Sequence, residues 1–179
     1  NQAIGIMAII SSIQAFVLVP ILGISQGIQP IIGFNYGAKK YDRVKKALKT
    51  GIILASISVT ILFVIVQAFP TKILSFFNND SVLIEMGSVG LRLYFLATPI
   101  LGFELLMIHF FQSIKKAGVS LLLTLVKQII ILIPFYIFLP RILGIKGVWI
   151  SNPIADIVIT IISIAFYIRE MHLLKKTIH

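Results

Sequence analysis

Five long apolar runs follow one another along the chain, separated by short segments that hold most of its charged residues. Each run reaches or exceeds the roughly 20 residues that a helix needs to cross a hydrocarbon core of about 30 Å. Because unpaired backbone groups cannot face lipid, runs of this length predict membrane-spanning helices. The predicted spans cover residues 4–37, 47–69, 86–111, 117–139 and 148–168.

The composition favours the same fold class. Hydrophobic residues make up 58% of the 179 residues, charged residues only 12%, and the mean hydropathy is +1.03. An ordinary soluble domain contains about 25% charged residues, and its helices need a polar face that most of these runs lack. We therefore predict an all-α fold, a polytopic bundle of transmembrane helices in a lipid bilayer.

The basic residues are distributed unevenly between the two sides of this predicted bundle. The formal net charge is +10, from 16 Lys and Arg against 6 Asp and Glu. Because these cations lie between apolar runs, they are typical of cytoplasmic loops and do not indicate a nucleic-acid partner. The poorer side has only Lys72, Arg141 and Lys146, so the richer side predicts the cytoplasmic face of the cell membrane and a cytoplasmic C-terminus. The richer side comprises Lys39, Lys40, Arg43, Lys45, Lys46, Lys49, Lys115, Lys116, Arg169, Lys175 and Lys176.

Two ionisable residues in neighbouring spans lie at matched depth. Glu104 precedes Lys115 by 11 residues, and Lys127 follows Lys116 by 11 residues. At 1.5 Å per residue, both lie ~16 Å from the same turn, close to the middle of the membrane. A charge there costs about 2.5–3.5 kcal/mol, so we expect Glu104 and Lys127 to approach each other. The pair is either part of a binding site for a proton or sodium ion, or a static ion pair.

Asp156 is a second acid near mid-membrane. Asn152 precedes it by four residues, which places both on one helix face. Pro153, between them, frees the carbonyl of Trp149, so that carboxylate, amide and carbonyl oxygens share one notch. Such oxygen groups suit a proton, a hard monovalent cation or an organic cation. The alternative is a hydrogen bond from Asp156 that only holds two helices together.

Catalytic motifs do not occur in the sequence. Cysteine is absent, which excludes disulfides and thiolate chemistry. A glycine-rich phosphate loop, zinc-ligand spacing and a nucleophile elbow are also missing. We therefore predict no enzyme, no catalytic residue, no metal site and no cofactor other than a coupling ion, Na⁺ or H⁺.

Small residues and prolines predict how the helices pack and bend. Gly23 and Gly27, and likewise Gly33 and Gly37, are spaced four apart, which predicts close approach of another backbone. Prolines inside the runs predict kinks. Pro140 is expected to end the fourth helix. Because the chain begins with Asn1 and not Met, we expect a piece of a longer protein.

The stretch GIQPIIGFNYGAKK at residues 27–40 resembles the multidrug and toxic compound extrusion (MATE) family, especially its bacterial multidrug branch. The likeness continues in the same order through YDRV at 41–44, FFQSI at 110–114, GVW at 147–149 and NPIAD at 152–156. It extends over essentially the whole chain.

This resemblance implies two lobes of six helices with a substrate cavity between them. The five spans are then helices eight to twelve, and the N-terminal lobe and helix seven are missing partners. Asp156 matches the acid of helix twelve. Residues 102–104, ending at Glu104, match the region of helix ten that partners an acid on the missing helix seven, and Gln112 is a further candidate for binding. The branch also leads us to expect an amide at position 104 and a glycine at position 115, where this chain has Glu104 and Lys115.

The expected function is secondary active efflux, in which small-molecule drugs or organic cations leave in exchange for Na⁺ or H⁺. The candidate ion- and substrate-binding residues are Asp156, Glu104, Asn152, Lys127 and Gln112. One alternative is a lipid-linked oligosaccharide flippase of the same superfamily, which needs a cationic cavity. The other is a membrane anchor or assembly subunit that transports nothing, for which buried charges are unnecessary.

Overall fold

The computed structural model describes residues 2–176 of the chain, and side chains from residue 3 to residue 173. This part consists of helices joined by short turns, which confirms the predicted all-α class. Its helices are α1 (Gln2–Gly37), α2 (Tyr41–Ala68), α3 (Pro70–Ser75), α4 (Ser81–Tyr94), α5 (Thr98–Ser113), α6 (Ala117–Leu125), α7 (Ile133–Leu143) and α8 (Ile145–Lys176). A segment in π-helical geometry, Val126–Leu132, joins α6 to α7 and is called the π segment below.

Four helical stretches are long and apolar enough to cross a membrane, and a bent pair of helices makes a fifth candidate. The four are α1, α2, the continuous run through α6, the π segment and α7, and α8. Their outer surface is strongly apolar: Phe34 and Ile142 are each 82% exposed. In water such a surface would promote aggregation, so lipid is its natural solvent.

The third predicted span, 86–111, is not one helix. The structure divides it into α4 and α5, which meet at an angle of 48°. Pro99 lies at the start of α5, where its missing N–H is tolerated, but it cannot continue the hydrogen bonding of a preceding helix. At the other end, α4 begins at Ser81 because the Asp80 side chain caps it, accepting a hydrogen bond from the Val82 N–H at 2.9 Å.

The fourth helix continues past Pro140, so the prediction that this proline ends it is wrong. Gly144 sets the end instead, with φ of +58°, and its N–H donates to the Pro140 carbonyl. This backbone conformation is open to glycine at little cost. Further back, Pro134 cannot donate to the carbonyl of Ile130, as an α-helix requires. In π-helical geometry a carbonyl accepts from the N–H five residues later, so the Ile130 carbonyl would accept from residue 135. This is consistent with the π segment lying just before the proline.

Helix α5 lies at the centre of the bundle and packs against α1, α2, α6 and α8. The buried core around it is aliphatic and aromatic, and includes Phe110 and Phe111. Gly102 allows a close approach of α5 to α2, since a Cβ there would lie 2.9 Å from backbone atoms of Ala55 and Ser56. Of the four glycines predicted to pack closely in α1, Gly33 does so, since a Cβ there would lie 3.5 Å from the Ser113 carbonyl oxygen; among the described residues, Gly23, Gly27 and Gly37 have no such neighbour within 4 Å.

The basic turns gather at one end of the bundle, called the basic end below. Residues of the α1–α2 turn and the α5–α6 turn line one cleft there, among them Ala38 and Lys115. On the last turns of α8, Glu170 forms an ion pair of 2.5 Å with Lys116. The three basic regions that the sequence assigns to one side therefore do lie together.

Candidate functional site

Three charged side chains meet inside the bundle and form an ionic triad. The Lys127 ammonium donates to Oε1 of Glu104 at 2.6 Å and to Oδ1 of Asp156 at 2.7 Å. The three residues come from α5, the π segment and α8. The predicted approach of Glu104 and Lys127 is thus confirmed. The sequence reasoning treated Asp156 separately and missed that it shares the same lysine.

The triad is buried and its charges do not balance. Only 1% of the Glu104 side chain is exposed, against 9% for Asp156 and 16% for Lys127. With all three ionised, two carboxylates face one ammonium, which leaves one negative charge in a region where charge is costly. The second oxygen of Glu104, Oε2, is buried and has no hydrogen-bond partner among the described residues. A proton or a monovalent cation would neutralise the surplus charge.

Local structure explains why the three groups converge. Glu104 lies one half-turn after Gly102, whose missing side chain lets α5 press against α2. Lys127 is the second residue of the π segment. π-helical turns widen a helix locally and are frequent at functional sites. Asp156 follows Pro153, which lies inside α8.

A hydrogen-bonded group of side chains extends from the triad along α8. The Asn152 side-chain amide donates to the Tyr136 hydroxyl at 2.5 Å. The Tyr94 hydroxyl donates to Oε1 of Gln14 at 2.7 Å and also interacts with Asn152. Asn152 and Asp156 therefore lie one helical turn apart on one buried face, as predicted. The chain of contacts joins α1, α4, α7 and α8.

Sequence reasoning missed the residues Gln14, Tyr94 and Tyr136. Tyrosine is usually found at membrane interfaces, so its presence alone did not indicate a buried network. Their position within the spans could have indicated burial, since all three lie inside helical stretches of the bundle. The Trp149 side chain, adjacent in sequence to this group, packs its ring against Gly90, and its Nε1 has no partner in the described structure.

One face of α8 is polar and buried along most of its length, which the sequence analysis also missed. Its side chains recur every three, four or seven residues, as a single helix face requires. The hydroxyls of Thr160 and Ser163 are buried and have no hydrogen-bond partner in the described part of the chain. The buried polar residues of this face are Asn152, Asp156, Thr160, Ser163 and Glu170.

Gln112 lies apart from the other four candidate residues. It is two helical turns beyond Glu104 on α5, ~12 Å closer to the basic end. Its amide donates to the Ser120 hydroxyl at 3.0 Å and so ties the end of α5 to α6. Within the residues that the structure describes, no group of three or more His, Cys, Asp or Glu could hold a metal ion.

Comparison with known proteins agrees with this architecture. The family model MatE matches residues 1–138. The chain is similar to the solved structure of the MATE multidrug transporter DinF-BH, with 35% identity and a TM-score of 0.85 over 92% of this chain and 37% of that chain.

Two curated relatives are more distant in sequence. The FAD transporter of Shewanella oneidensis is 23% identical over 153 residues, which are 83% of this chain and 33% of the relative. The multidrug export protein MepA of Staphylococcus saprophyticus is 22% identical over 156 residues, 87% of this chain and 34% of the relative. The chain thus spans about a third of the length of these curated relatives.

Proposed function

Since this chain belongs to the MatE family of transporters, we propose that it forms the C-terminal lobe of a secondary active exporter and that its ionic triad handles the coupling ion. The observation that supports this proposal is the surplus negative charge of two buried carboxylates on one lysine. A static ion pair needs only one acid. A second acid buried beside it is costly unless a cation visits the site.

The proposed cycle uses the triad as an exchangeable charge. When H⁺ or Na⁺ is bound, the group is neutral and its three helices pack as one unit. When the cation leaves, the surplus carboxylate attracts a cationic substrate and weakens packing around Lys127. Alternating access then follows from movement of this lobe against an N-terminal lobe. In this proposal, the N-terminal lobe belongs to the rest of a longer protein.

The proposed substrates are amphipathic organic cations. The negative triad favours them electrostatically over anions, and two relatives are named as multidrug transporters. A second candidate is an anionic nucleotide-like compound, because one relative is an FAD transporter. For that substrate Lys127 would be the attracting group. The role of a non-transporting anchor would explain none of the buried charges. The net negative charge of the triad does not favour a lipid-linked oligosaccharide, which needs a cationic cavity.

The test is Asp156→Asn in the complete transporter. The amide keeps the shape of the side chain and leaves a balanced Glu104–Lys127 pair, so we expect normal insertion and amount. Efflux of a cationic rhodamine dye driven by the Na⁺ or H⁺ gradient should be abolished. FAD export is measured in parallel to separate the two substrate classes.

Asp42→Asn is the matched control. It removes the same charge from a side chain that is 95% exposed at the start of α2, and it should transport normally. If Asp156→Asn retains both efflux and ion dependence, Asp156 only holds helices together and the proposal fails. Loss of FAD export with intact dye export would assign the second substrate class.

A further inference from the structure

The exposed face of α2 changes character along its length. Near the basic end it presents Arg43, Lys46 and Thr50, and further on it presents Leu54, Ile57, Ile61 and Val64. These positions recur every three or four residues and so form one stripe. The aliphatic part, from residue 54 to residue 64, rises ~15 Å, the thickness of one leaflet of hydrocarbon.

The cations of this stripe have no ion-pair partner in the described part of the chain. Among the residues that the structure describes, neither Arg43 nor Lys46 has a carboxylate within 4.0 Å. Arg43 lies in the first turn of α2, where the helix dipole is positive and repels cations, and no described side chain caps this N-terminus; Lys46 lies about one turn further on. The neighbouring acid, Asp42, is paired loosely with Lys45 at 4.0 Å. An external anion would relieve this repulsion.

A cleft lies beside these cations, between α1 and α2. Its volume is about 400 Å³. Arg43, Lys46, Ala47 and Thr50 of α2 line it, together with Ile28, Ile31 and Asn35 of α1. The cleft therefore brings hydrogen-bond donors with positive charge together with aliphatic side chains.

We propose that this cleft binds an anionic phospholipid. Its phosphate contacts Arg43, Lys46 and Thr50, and one acyl chain lies against Ile31 and continues along the aliphatic stripe of α2. The order of charge and aliphatic surface matches a lipid, whereas a free phosphate would use only the cationic part. Basic residues beside a membrane attract acidic headgroups, and each contributes to the affinity.

The experiment titrates the purified complete transporter in detergent with dioleoylphosphatidylglycerol, dioleoylphosphatidylcholine or inorganic phosphate, and follows thermal unfolding. We expect a rise in Tm with phosphatidylglycerol alone. In the variant Arg43→Gln/Lys46→Gln the apparent affinity should fall by at least about tenfold. The control Lys72→Gln/Arg141→Gln removes the same charge from exposed residues at the opposite end and should keep the response.

Each other result overturns the proposal. Equal weakening by both double variants would indicate a general effect of net charge. An equal rise with inorganic phosphate would indicate a free anion. If no lipid changes the Tm of the unmodified transporter, another part of the protein covers the cleft.

Discussion

A buried lysine between two carboxylates makes the effect of each substitution depend on which charge remains. Loss of either acid leaves a neutral pair, because Lys127 contacts both Glu104 and Asp156 within hydrogen-bond distance. Loss of the lysine leaves two buried acids with no cation between them. Removing one partner of a buried pair costs about 3–5 kcal/mol, since the other charge is then uncompensated.

We therefore expect Lys127→Gln to destabilise the complete transporter by about 3–5 kcal/mol, and Glu104→Gln far less. Thermal unfolding of the two purified variants measures the difference. Mild acidification should reduce this difference in stability, because protonation of one carboxylate removes the repulsion between the two acids in Lys127→Gln. Equal destabilisation of the two variants at every pH would contradict the charge balance assigned to the triad.

Lys115 and Lys39 have a backbone conformation that suits glycine. Their φ angles are +62° and +57°, in the left-handed region that costs a side-chain-bearing residue about 1–2 kcal/mol. Glycine is also the residue expected at position 115 from the family resemblance. Lys115→Gly should therefore raise stability by up to about 1 kcal/mol, after the greater freedom of glycine in the unfolded chain is subtracted.

The matched control for this substitution is Lys40→Gly. Lys40 belongs to a basic turn as well, but its φ is −88°, so glycine brings no relief and should cost a few tenths of a kcal/mol or more. Thermal unfolding of both variants is the measurement. A lower Tm for Lys115→Gly than for Lys40→Gly would contradict the expectation.

At the residue scale, the sequence predicted the depth of a residue in the membrane but not the helix face on which its side chain lies. Counting residues from the turns placed Glu104 and Lys127 at one level, and the pairing followed. The same count cannot tell which face of α8 points inward, so the contact of Asp156 with Lys127 was missed. The tyrosines at 94 and 136 were missed for a related reason, since nothing in their residue type distinguishes a buried hydroxyl from one at the membrane interface.

At the scale of elements, glycine spacing alone did not identify the tight helix contacts. The four-residue pairs in α1 were expected to pack closely, whereas close backbone approaches use Gly102 and Gly147, neither of which has a glycine partner at that spacing. A glycine marks close packing only when the neighbouring helix is known. In the third span, proline correctly indicated a bend, because Pro99 lies beside it. Pro140 did not mark the end of a helix, because α7 continues beyond it.

Gly102→Ala should separate α2 from α5. The new methyl group would lie 2.9 Å from backbone atoms of Ala55 and Ser56, which cannot rotate away as a side chain can. We expect destabilisation of about 1–3 kcal/mol, and weaker transport because Glu104 moves with α5. Gly118→Ala is the control, since no described atom lies within 4 Å of a Cβ there and alanine favours a helix. Equal stability of the two variants would show that the approach is not tight.

At the scale of the whole molecule, the fold class and the number of candidate spans followed from length and hydropathy. This succeeded because each span must hold about 20 apolar residues whatever its neighbours are. The bend in the third span, the π segment and the central position of α5 depend on contacts between helices. Apolar periodicity does not record these contacts, since lipid-facing and core-facing positions are equally aliphatic.

The distribution of basic residues predicts the orientation of the bundle in the membrane. Basic turns collect at one end, and the other end has few cations, so the basic end should face the cytoplasm. This chain has no cysteine, which makes single cysteines useful as reporters in a complete transporter freed of its other cysteines. Lys40→Cys lies in the α1–α2 turn, and Asn79→Cys lies in the α3–α4 turn; both positions are exposed.

A membrane-impermeant maleimide added to intact cells should label Asn79→Cys and leave Lys40→Cys unlabelled until the membrane is permeabilised. Because the anionic inner leaflet attracts cations, the same orientation would place Arg43 and Lys46 beside acidic headgroups. Labelling of Lys40→Cys in intact cells, with Asn79→Cys protected, would reverse the assigned orientation. It would also remove the inner leaflet as the source of the lipid proposed for the α1–α2 cleft.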